Sequence, residues 1–417
     1  MQELTLGEVA EYINGRAFKP DEWEESGKPI IRIQNITQTS SECNRTTKEY
    51  DAKYLVKDGD LLFAWSASLG AHIWHGEDGW LNQHIFKVLP NEKVTKEYLY
   101  YYLLYVVNEL YSKTHGTGMV HITLKPFKQT KIPVYSIREQ QRIVEQIESL
   151  FAKLDEAKEK VLEAITSSQH RKDTLLHKAF EGELTRCWRE KNNVVSENNY
   201  YSFDECILKM QNGLAKRNGS TGKEFAVIRL ANLSADGFIT EDMRMILLDE
   251  KEQENYRLYA DDVVMIRVNG SKDNVARQIC VESDTEWAFC DHIIRIRYDE
   301  AKVLPRFMVY FSKSQYYRNY IADNMVSSAG QNTISRKGMS NLTVPNFMLE
   351  EQEEIIKILD KLWKSEDEIQ VKAEQVVEQI DLMKKSILAK AFRGELGTNN
   401  PDEESAVELL KKIITEE

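Results

Sequence analysis

The chain has 417 residues, 42% of them hydrophobic and 29% charged, which excludes a disordered chain and leaves room for two or three domains with real cores. Its formal net charge of −12 is an awkward total for a nucleic-acid binder, since phosphate contacts call for a basic surface. The start, MQELTLGEVA, lacks the basic and apolar segments of a signal peptide, no apolar run approaches the ~18 residues of a membrane span, and the scattered cysteines (43, 187, 206, 280 and 290) fit reduced thiols, so a cytoplasmic protein with no membrane partner is expected.

Residues 1–137 read as an α/β block. Asn14-Gly15 marks a turn, while DLLFAW (60–65) and HIFKVL (84–89) read as strands. KEYLYYYLLYVVNELY (96–111) reads as a helix with an aromatic stripe; core packing is the expected use of that stripe and base stacking the alternative. A short strand closes at Pro133, and helical periodicity sets in about ten residues later. Apolar residues then recur in alternating steps of four and three, at Ile143, Ile147, Leu150, Leu154, Ala157, Val161 and Ala164, the signature of a coiled-coil seam. No Pro or Gly interrupts the run before Gly182, a helix stop. The constant segment 138–186 is therefore a helix of about 40 residues, or ~60 Å.

Residues 187–349 form a second α/β block, with strands expected in DVVMIRV (262–268) and HIIRIRY (292–298) and aromatic helices in PRFMVYFSKSQYYRNYIA (305–322). Residues 350–396 form the second long helix, with a seam at Ile355, Leu359, Leu362, Glu366, Ile369, Ala373, Val376, Ile380, Met383 and Ile387, closing at Gly394; 397–417 is an acidic tail. The second half repeats the first. KAFEGEL (178–184) and KAFRGEL (390–396) differ at one position, and from Ile122 to Leu184 the register of 212 gives 18 identities in 63 positions. Glu139-Gln140 falls on Glu351-Gln352 and Pro133 on Pro345. Upstream the match is looser: Asn14-Gly15 on Asn212-Gly213, RIQNI (32–36) on RLANL (229–233), and QHIFKV (83–88) on DHIIRI (291–296). The expected fold is α/β (α+β): two similar globular domains separated by two long antiparallel coiled-coil helices, related by a pseudo-two-fold internal repeat.

Catalytic and cofactor signals are weak. RNGSTGKEF (217–225) lacks the spacing and the hydroxyl of a phosphate loop, and for the H-x-x-H pair His72 and His75 an ordinary surface or core role is expected. GTG (116–118) is too short for a dinucleotide fingerprint. No catalytic residue and no metal ligand is assigned. The charge is unevenly spread: −2 in residues 1–137, 0 in 211–349, but −4 in 350–396 and another −4 in 397–417. Near-neutral blocks leave room for local basic faces. Side chains that match base edges are Arg, Lys, Asn, Gln, Ser and Thr on loops. In the second block these are Arg267, Asn269, Ser271, Lys272 and Asn274 after a strand, and Gln331, Asn332, Ser335, Arg336 and Lys337 in SSAGQNTISRK (327–337). In the first block the corresponding loops offer Trp65, Ser66 and Ser68, and His115, Thr117, His121, Thr123 and Lys125.

A Pro-ended strand, an E-Q helix start, a long helix and a K-A-F-x-G-E-L close, twice over, resemble the specificity (S) subunit of type I restriction–modification systems. DGDLLFAWSASLG (58–70) and LNQHI (81–85) add to the likeness, which covers essentially the whole chain. The resemblance implies two target-recognition domains, each reading one half of a bipartite asymmetric DNA target, with the helices setting the spacer. It implies a non-catalytic chain without a cofactor of its own. The partners implied are double-stranded DNA, two modification (M) subunits that carry S-adenosylmethionine and methylate adenine N6, and two restriction (R) subunits that use ATP and Mg. A coiled-coil scaffold with two adaptor domains for protein ligands is the alternative.

Overall fold

In a computed structural model the chain divides into two compact units, residues 1–161 with 374–417 and residues 162–373. The structure describes residues 2–37, 42–66, 69–112, 123–195, 199–219, 221–235 and 237–398.

The first unit carries strands β1 (Gln2–Thr5), β2 (Ala10–Asn14), β3 (Lys28–Ile31), β4 (Arg45–Thr46), β5 (Leu55–Val56), β6 (Leu61–Ala64), β7 (Gly70–Ile73), β8 (Gly79–Leu81), β9 (Ile85–Pro90) and β10 (Lys131–Val134). They form an antiparallel sheet in the order β2-β9-β6-β7, a mixed sheet β4-β3-β8-β5, and the pair β1-β10 that joins the two ends of the block. The second unit carries β11 (Tyr200–Ser202), β12 (Ile207–Asn212), β13 (Lys223–Ile228), β14 (Arg244–Leu248), β15 (Val263–Ile266), β16 (Val268–Asn269), β17 (Gln278–Cys280), β18 (Trp287–Phe289), β19 (Ile293–Tyr298), β20 (Val326–Ser328), β21 (Gln331–Thr333) and β22 (Thr343–Pro345). Its sheet β12-β19-β15-β17 and its pair β11-β22 repeat the first unit's pattern, and β14-β13-β18 takes the place of the mixed sheet. The loosely repeated Asn-Gly has a packing reason. A Cβ on Gly15 would lie 2.1 Å from the Asn82 carbonyl oxygen, and one on Gly213 would lie 2.1 Å from that of Cys290.

The aromatic stripes are core. Tyr98, Leu99, Tyr102, Leu103 and Val106 of helix Lys96–Ser112 are buried, as are Phe307, Met308 and Phe311 of Pro305–Phe311 and Tyr317 and Ile321 of Gln315–Asn324. The Tyr98 hydroxyl donates to the Pro133 carbonyl at 2.7 Å, which gives the ring's polar edge a partner.

The long helices run Ile137–Phe180 and Leu349–Phe392, 44 residues each. Each unit holds the beginning of one and the end of the other, side by side and antiparallel. In the first unit Asp155 meets Lys384 and Lys158 meets Asp381; in the second Lys172 meets Asp367 and Arg171 meets Glu366. Both helices start about six residues before the apolar period does, because their first turns bury polar groups. Glu139, Gln140, Glu351 and Gln352 are all buried. Gln140 Nε2 donates to the carbonyls of Lys93 (2.8 Å) and Tyr135 (2.9 Å), and its Oε1 accepts from Thr95 N (2.9 Å). Gln352 repeats the arrangement on Lys302 O, Phe347 O and Leu304 N, at 2.8 Å each. Each glutamine pins a helix start to the loop that leads into its block's aromatic helix.

The repeated K-A-F-x-G-E-L phrase closes each helix onto a block. Phe392 packs on Tyr98, Tyr102 and Tyr105 with centroids 5.1–5.5 Å away, and Phe180 packs on Phe307 and Phe311 at 5.3 and 5.2 Å. Burying such a ring is worth about 1.5–3 kcal/mol. Gly182 and Gly394 then turn the chain at φ 72° and 74°, where a side chain would be strained.

Five of the expected seam positions differ. Ala157 and Ala164 are exposed, and Ile369, Val376 and Met383 are 40%, 39% and 51% exposed. Lys158, Ile165, Gln370, Val377 and Lys384 take the inward positions, one residue further on. At Lys158 and Lys384 the lysine stem packs inward while the ammonium group reaches a carboxylate. Lys384 Nζ lies over the Phe151 ring at 4.9 Å and Lys172 Nζ over Trp363 at 4.9 Å, repeat-equivalent contacts with Asp155 and Asp367 as the acids.

Candidate nucleic-acid interface

The second unit brings its two candidate loops together. β16, from the loop after β15, pairs with β21, and β21 pairs with β20, giving the small antiparallel sheet β16-β21-β20. Between β20 and β21 the chain turns through Ala329 (φ 48°) and Gly330 (φ 77°), the two left-handed residues of a type I′ hairpin. This flap springs from the end of the central sheet where Arg267 N donates to His292 O at 2.8 Å. In the first unit Trp65 N donates to His84 O at 3.2 Å. The repeated histidine therefore marks the root of the candidate loop in both halves, a role the Q/D-H-I match carried in sequence without being assigned to the site.

The flap separates side chains that build the loop from side chains that face outward. Asn332 is 6% exposed; its Nδ2 donates to the carbonyls of Gly270 (2.9 Å) and Asn269 (3.4 Å), and its Oδ1 accepts from Ser327 Oγ (2.6 Å). Asn269 Oδ1 accepts from Ser271 N at 2.8 Å and Asn274 Nδ2 at 3.5 Å, while Asn274 Oδ1 accepts from Arg277. Arg267 reaches the Asp291 carbonyl at 3.4 Å, Ser335 caps the helix Arg336–Met339 by accepting from Gly338 N, and Arg336 meets Asp204 at 3.2 Å. Ser271, Lys272, Gln331 and Lys337 are exposed and direct no side-chain hydrogen bond to the described chain. Sequence reasoning missed Arg318, half-buried on helix Gln315–Asn324. It donates to the carbonyls of Val275 (2.8 Å), Lys272 (3.3 Å) and Asp273 (2.7 Å) and so holds the first loop's shape.

The first unit's candidates behave differently. Ser66 is 2% exposed, which corrects its expected place on an exposed loop. Trp65 is half-buried, donates from Nε1 to Asn14 Oδ1 at 3.1 Å and stacks on Phe86 with centroids 5.8 Å apart, so its ring belongs to the packing. Asn332 is corrected in the same sense, because three hydrogen bonds hold it inside the flap. Thr123 and Lys125 are exposed at the start of the short helix Leu124–Lys128. Ser68, His115, Thr117 and His121 lie outside the described residues.

Among the described residues one group of donors has metal-ligand chemistry within 4.8 Å, the consecutive Cys290, Asp291 and His292 at the flap's root. Burial pushes the Cys290 thiol up, which opposes the thiolate a metal needs. RNGSTGKEF contributes to β13, with Lys223 paired to Glu286 at 3.4 Å, and no phosphate cradle forms there among the described residues. Among the described residues, no helix is long and apolar enough to cross a membrane.

Comparison with known proteins agrees with this architecture. Residues 1–167 match the family model of the type I restriction modification DNA specificity domain. The chain is 30% identical to the StySPI specificity subunit of Salmonella potsdam, over 98% of this chain and 93% of that one. It is 27% identical to the EcoKI specificity subunit of Escherichia coli K12, over 74% and 68%, and 24% identical to the MjaVIII specificity subunit of Methanocaldococcus jannaschii, over 95% and 93%. Its fold is that of a chain solved in work on assembly and conformational transition of a type I R-M system (TM-score 0.70, 17% identity, 95% and 98% covered). The HsdS subunit of Thermoanaerobacter tengcongensis is also similar (TM-score 0.51, 17% identity, 95% and 97% covered). The chain belongs to the family of type I restriction enzyme specificity subunits.

Proposed function

We propose that this specificity subunit reads a bipartite asymmetric DNA target, residues 1–137 reading one half and 187–349 the other. The observation that carries the reading is a duplicated frame around divergent blocks: the Gln140 and Gln352 clamps repeat contact for contact, Phe180 and Phe392 each close onto an aromatic helix, and the sequences of the candidate loops differ. A frame built twice holds two readers in equivalent settings. The readers differ, so the halves of the target differ. The long helices (138–186 and 350–396) set the spacer. They also dock two modification subunits: Val376 and Met383, seven residues apart on one helix, and the neighbouring Leu382 at 56% exposure leave an apolar face for a protein partner. Two restriction subunits complete the nuclease. The chain does no chemistry and holds no cofactor; S-adenosylmethionine belongs to the modification subunits, ATP and Mg to the restriction subunits, and the complex works in the cytoplasm.

The test is genome-wide mapping of modified adenines in cells that carry the chain with its modification subunit. Replacing residues 187–349 by the corresponding block of a relative should change one half of the target and leave the other half intact. A change in both halves, or in neither, would overturn the division of labour.

A further inference from the structure

We propose that the outer face of the β20–β21 ribbon reads an A·T base pair of the second half-site, with Gln331 bonding the adenine edge and Val326 packing on the thymine methyl. The inference rests on the reading of residues 187–349 as a recognition domain and deepens it.

Register decides which side chains share a face. Val326 pairs with Thr333, Ser327 with Asn332 and Ser328 with Gln331, and across the next ladder Val268 pairs with Thr333 and Asn269 with Asn332. Paired residues share a face and neighbours along a strand alternate. One face thus holds Ser327, Asn332 and Asn269, which are bonded to one another or to the loop backbone and lock the flap. The opposite face holds Val326, Ser328, Gln331, Thr333 and, on the neighbouring strand, the half-buried Val268. Val326 is 68% exposed, an unusual position for an apolar residue at the outer edge of a small sheet. Gln331 is exposed and its amide bonds to nothing in the described chain.

The chemistry of that face is specific. A side-chain amide can bond adenine N6 and N7 together, and an apolar side chain fits the thymine C5-methyl, so one face offering both matches the two partners of one base pair in the major groove. A two-stranded ribbon fits that groove, which is about 12 Å wide. The Ala329-Gly330 turn keeps the tip narrow, Asn332 ties the ribbon to the Asn269-Gly270 backbone, and Arg318 holds the loop that follows, so the reading groups are presented on a braced support.

The test uses the assembled complex of this chain with its modification subunits. Modified adenines are mapped for the wild type and for Gln331→Ala, Val326→Ala and Lys272→Ala. Gln331→Ala should relax one A·T position of one half-site by about 5- to 150-fold. Val326→Ala should relax the same position by about 3- to 10-fold. Lys272→Ala, which removes an exposed cation suited to a phosphate, should lower modification evenly at all sites. Uracil in place of the thymine at that position should weaken wild-type binding and leave Val326→Ala indifferent. The inference is overturned if Gln331→Ala relaxes no position or a G·C position, or if Val326→Ala still senses the methyl as the wild type does. A wild-type complex that methylates without sequence preference would instead overturn the recognition-domain reading itself.

Discussion

The buried glutamine clamp makes the sharpest demand on the structure. Gln352→Leu keeps the side chain's bulk but removes three hydrogen bonds, leaving Leu304 N–H and the carbonyls of Lys302 and Phe347 without their partner. A typical intramolecular hydrogen bond contributes about 1 kcal/mol net, so the loss comes to about 3 kcal/mol. For a unit of 212 residues (162–373) each 1 kcal/mol lowers the melting temperature by about 2–4 °C, so a fall of about 6–12 °C is expected in the transition of that unit. Gln352→Glu should be at least as harmful, since a carboxylate would face two carbonyl oxygens in a buried site. Calorimetry measures the fall, and amide hydrogen exchange locates it: Leu304 N–H should lose protection in Gln352→Leu while Thr95 N–H keeps it. Gln140→Leu should show the mirror result. A shift under about 1 °C with Leu304 still protected would refute the claim that the repeated E-Q is a clamp.

Other outcomes follow from particular contacts. Four residues inserted after Leu154 lengthen the helix by about 6 Å and turn it through roughly one revolution, so mapped target sites should keep both halves and widen their gap by about two base pairs; an unchanged gap would refute the ruler. Cys187 is exposed, whereas burial pushes the thiols of Cys206 and Cys280 up to about 12, so alkylation at pH 8 should mark Cys187 first and reach the other two only on unfolding. At Ser168, Arg171 and Glu366 the second unit has a polar cluster (2.6–2.8 Å) where the repeat places Ile380, Met383 and Leu154 in the first. Glu366→Leu alone should destabilise, but Ser168→Ile, Arg171→Met and Glu366→Leu together should be neutral or raise stability by about 1 kcal/mol, as read by thermal unfolding.

The fold was legible wherever a repeat made chance improbable. Two helices of matched length, their Gly stops and their closing phenylalanines could all be read from K-A-F-x-G-E-L and its register. What escaped was the phase of the seam. A pattern search that counts only apolar residues assigns Ala157, Ile369 and Met383 to the inside, because Lys158, Gln370 and Lys384 look like surface. The structure reverses them, and the two lysines each find a carboxylate, Asp381 for Lys158 and Asp155 for Lys384, with the Phe151 ring beneath Lys384. The helix starts fall within one residue of the expected 138 and 350, but the burial of Glu139-Gln140 and Glu351-Gln352 could not be read without their partners in the preceding loops.

The candidate interface divides along a similar line. Composition alone picks out Arg267, Asn269, Lys272, Asn332 and Gln331 as equals, because all five can bond a base edge. What separates them is the other partner available to each, and that depends on contacts 60 residues away in sequence: Asn269 and Asn332 come into register only when β16 meets β21. An amide already bonded to Gly270, Asn269 and Ser327 must break those bonds before it can read DNA, whereas Gln331 has none to break. The same criterion brings in Val326, which a search for polar readers passes over, because an exposed methyl pair on a braced polar ribbon is itself a recognition element when the ligand carries a methyl group in its groove. On the proposed reading, recognition in this subunit falls to residues that the flap's own hydrogen bonds leave unused.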